Sequence, residues 1–522
     1  MEHHGSESYY VLGEGLLTEA GGGRAQALSP EVEAQTAPFR FSRMGPSGAG
    51  HQVGEKTRQL LAQAMTKAQV TRGSRIPSGF TYLGQFIDHD LTADKTAVTF
   101  GEDVSPAAML QGRSPVLDLD SLYGAGPSDP VSGGFYSDGL RLKTGTTVNP
   151  AKAGHDLPRV GKGGSAAARR KANIPELRND ENLAVAQTHA MFIRFHNRVC
   201  DTLPKSTPPG QMFSRARRKV TKHYQWMIRT DFLPRICQKA VVEDVFKNGR
   251  KVFEVGATPT DMPTMPLEFS VAGYRLGHSM VRAAYNWNVN FPDGGGTLDL
   301  LFHFTGTSGN LDGLDQLFGI WIADFRRLYN FGEAGREDLV VQESDFNRAQ
   351  RIDTKLVNPL HDLPTGSIGG TPPPPGIDRN LAYRNLTRAK MVSLASGQQM
   401  AALMNSKGVA VTPLTRAQIR DGKGSATLEA LSKKQLKRVT TDTPLWFYIL
   451  REAELNQGRL TGVGARIVAE TFHRAMEGST FSIVRDPAWR PQLGPDTNTF
   501  RMVDLLLFAA NGKATVINPL GG

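Results

Sequence analysis

The chain has 522 residues, of which 39% are hydrophobic and 21% are charged, and its mean hydropathy is −0.33. This supply of apolar side chains is enough for a large core, and it excludes wholesale disorder and a collagen-like repeat. The sequence contains no run of about 18–20 apolar residues, which argues against a transmembrane segment. Its two cysteines, Cys200 and Cys237, are too few for a disulfide scaffold or a zinc cluster of cysteines.

Charge is dispersed along the chain. The 61 Lys and Arg residues outnumber the 50 Asp and Glu residues, which leaves a net charge of +11 and an isoelectric point near 9.5. The densest basic blocks, residues 169–171 and 215–219, lack interleaved aromatic side chains, so we expect no nucleic-acid partner. A mildly positive potential instead favours anionic substrates. The first residues lack the features of a standard secretory signal, which predicts a soluble protein that is cytoplasmic or non-classically exported.

Hydrophobic periodicity predicts a mainly α protein with few short strands. Between residues 183 and 199, Val185, His189, Phe192, His196 and Val199 fall on one helix stripe. Seven residues of helix separate the two histidines by about 10.5 Å, too far for them to share a zinc ion, so we expect them to pack in the core. Other helices are predicted over residues 215–246, 267–284, 314–329, 379–404, 444–456 and 463–476, and strands over 250–255 and 481–484.

The sequence shows no linker between two separate cores. Residues 1–75 are rich in Gly, Ala, Ser and Gln, and predict a loosely structured N-terminal arm. Residues 76–522 are predicted to form one large helical domain. Two Gly- and Pro-rich stretches, residues 138–171 and 365–375, are predicted to be surface excursions.

The segment from Tyr82 to Leu91 carries a polar face. On a helix, Gln85, Asp88 and His89 lie at positions i, i+3 and i+4, and therefore on one side. The next residue, Asp90, is rotated by about 100° and points elsewhere. An amide, a carboxylate and an imidazole are thereby offered to one ligand.

Three later segments contain single polar residues that are each ordinary alone. Arg178 and Glu181 precede a helix, where a carboxylate suits the helix dipole. His278 stands in an apolar segment and would usually be a core histidine. Asn385 stands on a predicted helix, where it could accept a hydrogen bond from a distant imidazole.

Taken in this order, the four segments resemble the animal haem peroxidases, the superfamily of myeloperoxidase, lactoperoxidase, peroxinectin and prostaglandin synthase. The resemblance extends from about residue 80 to about residue 485 and includes the segments 223–234, 444–454 and 462–466. The sequence of these segments resembles the bacterial members of the family more than the mammalian enzymes. The resemblance implies a helical domain with haem between central helices, and a peroxidase that uses hydrogen peroxide through ferryl intermediates.

The resemblance also implies roles for individual residues. His89 matches the distal histidine, with Gln85 beside it, and Arg178 matches the distal arginine. His278 matches the proximal iron ligand, and Asn385 the residue that binds its far nitrogen. The remaining haem contacts implied are ester bonds to two carboxylates and basic groups near the propionates, at Asp88, Glu181, Arg275 and Arg388.

Calcium is the second cofactor that the resemblance implies. Asp90 is joined in the family by a loop whose oxygen donors alternate, as Ca²⁺ requires. The expected ligands are Asp90, Ser114, the Val116 carbonyl, Asp118 and Asp120. Mammalian members usually carry serine at the position of Asp120, so the site expected here is more anionic.

Two departures from the family pattern bear on the substrate. Asn182 stands where myeloperoxidase has a methionine linked to a haem vinyl, which favours bromide, iodide, thiocyanate or small aromatic donors over chloride. The fatty-acid oxygenases place a radical-bearing tyrosine three residues before the proximal histidine, where this chain has Arg275 and Tyr274 is one residue off. A fatty-acid dioxygenase is therefore a less favoured alternative. A peroxinectin-like interaction protein on the same fold is a second alternative. The partners expected are hydrogen peroxide and small anionic or aromatic electron donors, and no oligomeric state is predicted.

Overall fold

The computed structural model describes residues 39–67, 73–96, 98–363 and 376–522, together with two short strands near the N-terminus. The predicted excursion over residues 365–375 lies outside the described residues.

Helices dominate the described structure. The helices of eight or more residues are Glu55–Thr66 (α1), Gly79–Leu91 (α2), Leu183–Asp201 (α3), Pro209–Met227 (α4), Lys239–Asn248 (α5), Leu381–Met391 (α6), Gly397–Ser406 (α7), Lys433–Thr441 (α8), Leu445–Leu455 (α9), Gly462–Gly478 (α10) and Met502–Ala509 (α11). Shorter α-helices span Asp120–Tyr123, Ala166–Arg170, Leu233–Ile236, Leu267–Ser270, Gly277–Met280, Leu298–His303, Arg416–Asp421 and Ala514–Ile517. The predicted mainly α class is confirmed.

Strands are short and occur in pairs. Antiparallel pairs join Tyr9–Val11 to Gly15–Leu17, Gly73–Pro77 to Arg348–Gln350, Gly145–Thr146 to Ala153–Asp156, and Ala284–Tyr285 to Gly296–Thr297. One parallel pair joins Phe41–Ser42 to Met265–Pro266.

Helix α3 is a central element of the core, with three other long helices packed on it. It packs against α2, α4 and α11. Its predicted stripe is buried, because Val185, Phe192 and Val199 have no exposed surface. Farther along the chain, α10 packs against α5 and α9. The buried apolar side chains of these helices join one continuous core, while the division into an arm and a single domain stays a prediction.

The predicted helices are confirmed only in part. The helices predicted over 183–199, 444–456 and 463–476 are confirmed. The one predicted over 215–246 is divided by a π-helical turn at Ile228–Phe232 and a break before α5, and the one over 379–404 becomes α6 and α7. The helix predicted over 314–329 is wrong, since only the 3₁₀ turns Gly319–Trp321 and Phe325–Arg327 form there.

The two strands predicted over residues 250–255 and 481–484 are also wrong. In residues 250–255, backbone N–H groups of Lys251, Val252 and Phe253 donate to the Glu470 carboxylate at 2.7–2.8 Å. A side chain thereby satisfies the groups that a neighbouring strand would bind. Residues 481–484 form bends, not a strand.

Part of the predicted arm is packed. Helix α1 contacts α6, and Leu61, Ala62 and Met65 on it are completely buried. Residues 55–66 are therefore not loosely structured, while the boundary at residue 75 stays a prediction. Within the part of the chain that the structure describes, none of the helices has both the length and the apolar composition needed to cross a bilayer.

Candidate active site

A cavity lies between α2 and the segment 274–281, and the roughly 710 Å³ of space between its atoms includes open solvent. Its wall is mainly apolar and aromatic, with Phe80, Tyr82, Phe232, Leu298 and Phe302 among the lining side chains. Its polar lining side chains include Gln85, Asp88, Asn182, Arg275 and His278. The structure thus brings five of the residues singled out from sequence to one cavity, although they come from three separate segments.

Helix α2 presents its polar face as the spacing predicts. Gln85 and Asp88 line the cavity, whereas Asp90 is fully buried on another side. There the Asp90 carboxylate accepts hydrogen bonds from the Ser121 N–H at 3.2 Å and the Ser121 hydroxyl at 2.9 Å. Asp88 therefore faces the cavity, whereas Asp90 contacts the segment around Ser121.

His89 is fully buried and does not line the cavity, to which Glu181 and Gln85 connect it. Its Nε2 lies 3.7 Å from Glu181 Oε1 and has no hydrogen-bond partner among the described residues. Its Nδ1 lies 2.8 Å from Asn179 Oδ1. Burial lowers the pKa of His89 to about 3, so the ring is neutral at pH 7. Since Nδ1 faces an oxygen acceptor, the proton of the neutral ring resides there and Nε2 is the unprotonated nitrogen.

Glu181 is linked to the cavity wall through Gln85. The Gln85 amide donates to Glu181 Oε1 at 2.5 Å, and Gln85 Oε1 accepts from the Asn182 amide at 2.8 Å. Glu181 Oε2 is buried without a partner in the described structure. Burial raises the pKa of Glu181 to about 8 and that of Asp88 to about 6. Both carboxyl groups are thus easily protonated in the protein as it stands.

Arg178 is buried beside this group but does not line the cavity. Its guanidinium donates to both oxygens of Glu176, at 3.0 and 2.9 Å, and to the carbonyl oxygens of Thr92 and His89, at 2.6 and 3.2 Å. Glu176 also accepts from Arg113 Nε at 2.8 Å. A single carboxylate therefore holds two buried arginines and fixes a positive charge next to His89.

His278 and Asn385 are in contact, as the family resemblance implies. Asn385 Nδ2 lies 2.8 Å from His278 Nδ1, and Asn385 Oδ1 accepts from Arg275 Nη1 at 3.2 Å. The sequence interpretation had Asn385 as the acceptor from the imidazole. Here Arg275 occupies the amide oxygen, so the amide nitrogen faces His278. A metal bound at His278 Nε2 would require the opposite amide orientation, since Nδ1 would then carry the proton.

The segment 267–284 is not the continuous helix predicted. It consists of Leu267–Ser270, a 3₁₀ turn at Gly273–Leu276, and Gly277–Met280. The one-residue offset of Tyr274 does not remove it from the cavity, because both Tyr274 and Arg275 line it. The Tyr274 hydroxyl is buried and has no partner among the described residues.

Arg388 is one helical turn beyond Asn385 on α6 and does not line the cavity. Its guanidinium forms an ion pair with Asp94. Both side chains are about nine-tenths buried, at 10% and 8% exposure. Contact of Arg388 with a haem propionate stays a prediction.

The acidic loop expected to bind calcium makes protein contacts instead. Asp118 accepts from the Thr480 hydroxyl at 2.7 Å and from the Ser479 hydroxyl. Asp120 pairs with Arg217 at 3.2 Å. Within the described ranges, no three acidic, histidine or cysteine side chains are grouped so that they could hold a metal ion. As arranged, these residues do not fit calcium.

The cavity residues do fit haem. His278 on the wall is a ligand type for iron, and the apolar wall suits a macrocycle. Two buried polar atoms near the cavity, His89 Nε2 and Glu181 Oε2, lack protein partners in the described structure, as does the Tyr274 hydroxyl on its wall. Buried groups of this kind are rarely left unsatisfied, and a ligand in the cavity would come within reach of the Tyr274 hydroxyl on its wall.

Sequence reasoning missed two residues that hold the site. Asn179 binds His89, and Glu176 binds Arg178. Glu176 gave a signal, because it lies two residues before Arg178 and its side chain accepts from the Arg178 N–H at 3.0 Å. Asn179 gave none, since its partner lies 90 residues away.

The two histidines of the α3 stripe are core residues, as predicted. His196 Nδ1 lies 3.0 Å from the Tyr123 hydroxyl, and its Nε2 lies 2.9 Å from the Leu140 carbonyl oxygen. His189 Nδ1 lies 2.9 Å from Asn179 Nδ2. Both rings are fully buried.

Comparison with known sequences gives partial matches. Residues 93–319 match the family model described as animal haem peroxidase, a span that includes Arg178, Glu181 and His278 and begins after His89. A peroxidase-like protein of Margaritifera margaritifera is 30% identical over 112 residues, 21% of this chain and 14% of that protein. Thyroid peroxidase of Mus musculus is 24% identical over 195 residues, which cover 34% of this chain and 20% of that protein. The matches thus span a fifth or less of these curated relatives.

Comparison with solved structures covers nearly the whole chain. Peroxidase A from Dictyostelium discoideum aligns over 98% of both chains with a TM-score of 0.58 and 14% identity. A fatty acid alpha-dioxygenase from Oryza sativa aligns over 89% of this chain and 77% of its own, with a TM-score of 0.53 and 10% identity. At these identities the likeness concerns the fold.

Proposed function

We propose that this chain is a member of the animal haem peroxidase family, whose model matches residues 93–319, and that it uses hydrogen peroxide to oxidise halides, pseudohalides or small aromatic donors. The observation that carries the proposal is the cavity with His278 on its wall and the neutral His89 beside it. Haem bound there would supply the redox chemistry, and the protein would supply orientation and charge.

On this proposal, His89 moves the proton. Its Nε2 accepts the proton of the bound peroxide and returns it to the departing oxygen, as a neutral imidazole can do. Arg178 supplies fixed positive charge where negative charge develops, and Glu176 holds it so that no reorganisation is needed. Gln85 on the wall orients a small polar molecule through its amide.

The proximal and anchoring roles follow from the same wall. His278 would hold the iron, with Asn385 binding its other ring nitrogen. Arg275 on the wall would face a haem propionate. Arg388 would do so if it replaced its ion pair with Asp94 by one with the propionate. Asp88 and Glu181 would form the ester links. Both are largely buried acids with raised pKa values, and Glu181 Oε2 has no other partner among the described residues.

Asn182 supports bromide, iodide and thiocyanate over chloride as donors. Its amide nitrogen binds Gln85 and its oxygen caps α3 by accepting from the Val185 N–H at 3.0 Å. The side chain is therefore fully used in positioning, and it offers no sulfur for a link to haem.

A hemin titration tests the proposal. The purified chain should bind about one hemin with a Soret band typical of histidine-ligated iron, and His278→Ala should lose it. His196→Gln is the matched control, because His196 is also buried but does not line the cavity. A chain that binds no hemin, or an unchanged spectrum in His278→Ala, would contradict the proposal. Turnover with peroxide should then be compared across chloride, bromide, iodide, thiocyanate and phenols.

Calcium binding by Asp90, Ser114, the Val116 carbonyl, Asp118 and Asp120 stays part of the proposal on the sequence pattern alone. In the present arrangement Asp120 pairs with Arg217 and Asp118 binds Thr480, so the ion would have to displace both contacts. Bound calcium should appear by elemental analysis, and EGTA should lower the melting temperature. Equal melting temperatures in EGTA and calcium would contradict it.

A fatty-acid dioxygenase is the second candidate, and one observation favours it. The Tyr274 hydroxyl lies buried on the cavity wall without a partner among the described residues, and a fatty acid alpha-dioxygenase shares the fold. Oxygen uptake with linoleate or palmitate that Tyr274→Phe abolishes would support it. Peroxidase turnover that survives Tyr274→Phe, with no oxygen uptake, supports the leading proposal.

A further inference from the structure

Asn179 connects two buried histidines that come from different helices. Asn179 Oδ1 lies 2.8 Å from Nδ1 of His89 on α2, and Asn179 Nδ2 lies 2.9 Å from Nδ1 of His189 on α3. All three side chains are completely buried. We propose that Asn179, held in place by His189, is a positioning residue that keeps the proton of His89 on Nδ1 and leaves Nε2 as the base. This inference rests on the proposed function for its catalytic meaning.

The chemistry of an amide makes the connection directional. One end of the Asn179 side chain only accepts hydrogen bonds, and the other end only donates them. Since each end meets a ring Nδ1, the two histidines must take opposite tautomers. His89 donates from Nδ1 to the amide oxygen, and His189 accepts at Nδ1 from the amide nitrogen.

The surroundings of His89 explain why an anchor is needed. Its Nε2 lies 3.7 Å from Glu181 Oε1, which is close enough to attract a proton placed on Nε2. A ring with the proton on Nε2 could not accept one from peroxide. The bond from Nδ1 to Asn179 opposes that tautomer, and it also fixes the ring plane. When Nε2 takes up a proton, the same Nδ1–H bond remains and stabilises the charged ring.

His189 acts on His89 only through Asn179. Its ring packs edge-on against Phe86 of α2, with 5.7 Å between centroids, so it sits rigidly between the two helices. A carboxamide side chain with one end unsatisfied would be costly in this dry setting, and His189 supplies the second contact. The asparagine orientation is therefore determined by two partners.

Nitrogen-15 spectra of histidine-labelled protein without hemin test the tautomer directly. The His89 signals, assigned by their loss in His89→Gln, should show a protonated Nδ1 and an unprotonated Nε2 at pH 7. A protonated Nε2 in the wild type would overturn the proposal without the need for any other variant.

Two substitutions separate positioning from packing. Asn179→Leu removes the acceptor and should shift the His89 tautomer and slow the reaction of the hemin-loaded protein with peroxide about 100-fold, while the hemin affinity stays within a few fold. Asn179→Asp keeps an acceptor oxygen and should restore the tautomer and most of the rate. Unchanged His89 signals in Asn179→Leu, or equal defects in the two variants, would refute the proposal.

Asn288→Leu is the matched control, since Asn288 is also completely buried but its hydrogen bonds in the described structure are to backbone groups, the carbonyls of Ile320 and Ile322 and the N–H groups of Asn290 and Phe291. It should leave the His89 spectrum unchanged, and a shift equal to that of Asn179→Leu would count against the proposal. The tautomer and the peroxide reaction can fail separately. The predicted tautomer in a chain that never reacts with peroxide would refute the proposed function alone.

Discussion

His223 makes the stability of this protein depend on pH in a way that can be worked out from its contacts. The ring lies fully buried on α4, with Nδ1 2.6 Å from the Lys219 carbonyl oxygen. Its Nε2 accepts from two backbone N–H groups of the C-terminal segment, those of Gln492 at 2.9 Å and Leu493 at 3.2 Å. The proton of the neutral ring therefore resides on Nδ1. A second proton on Nε2 would face two donors.

Burial lowers the pKa of His223 to about 4, from an ordinary value of about 6.5. Between these values the unfolded chain binds a proton that the folded chain does not, so acidification favours unfolding. The stabilisation from the neutral ring is fully present above pH 6.5 and is lost as the pH falls towards 4. At about 1.4 kcal/mol per unit, the loss amounts to about 3 kcal/mol.

Urea unfolding of the wild type and His223→Gln between pH 7.5 and pH 4.5 measures this effect. The variant should be less stable at pH 7.5, and the gap in the free energy of unfolding should narrow by about 2 kcal/mol on acidification, because only the wild type loses the neutral ring. Hydrogen exchange in a peptide that covers residues 489–498 gives a local control. A gap that stays constant with pH would show that His223 does not titrate as its contacts require.

Two further substitutions test the packing around the site. Glu176→Gln should lower the free energy of unfolding by about 3–5 kcal/mol in urea, because it leaves two buried arginines without their shared carboxylate; a loss below 1 kcal/mol would contradict this. Gly397→Ala should lower the melting temperature and reduce the free energy of unfolding by about 1–3 kcal/mol, because the new methyl group would overlap the Tyr448 ring. Gly210→Ala is the control: its methyl group meets open space, so the melting temperature should not fall.

Local patterns were sufficient for the parts of the site that lie within one helical turn. The placement of Gln85 and Asp88 towards the cavity and of Asp90 away from it follows from 3.6 residues per turn. The stripe of α3 is buried for the same reason. Periodicity failed over residues 267–284 and 314–329, because tertiary contacts satisfy the backbone there in short turns.

Contacts between distant segments were accessible only through the family resemblance or not at all. The pairing of His278 with Asn385 spans 107 residues, and the resemblance implied it. The role of Asn179 and the pairing of Asp120 with Arg217 had no sequence signal. Residue types and their spacing thus determined which groups this chain can bring to a haem and on which helix face they stand. The packing of α2, α3 and the 274–281 segment decided which groups meet, because hydrogen-bond partners far apart in sequence depend on how the helices pack.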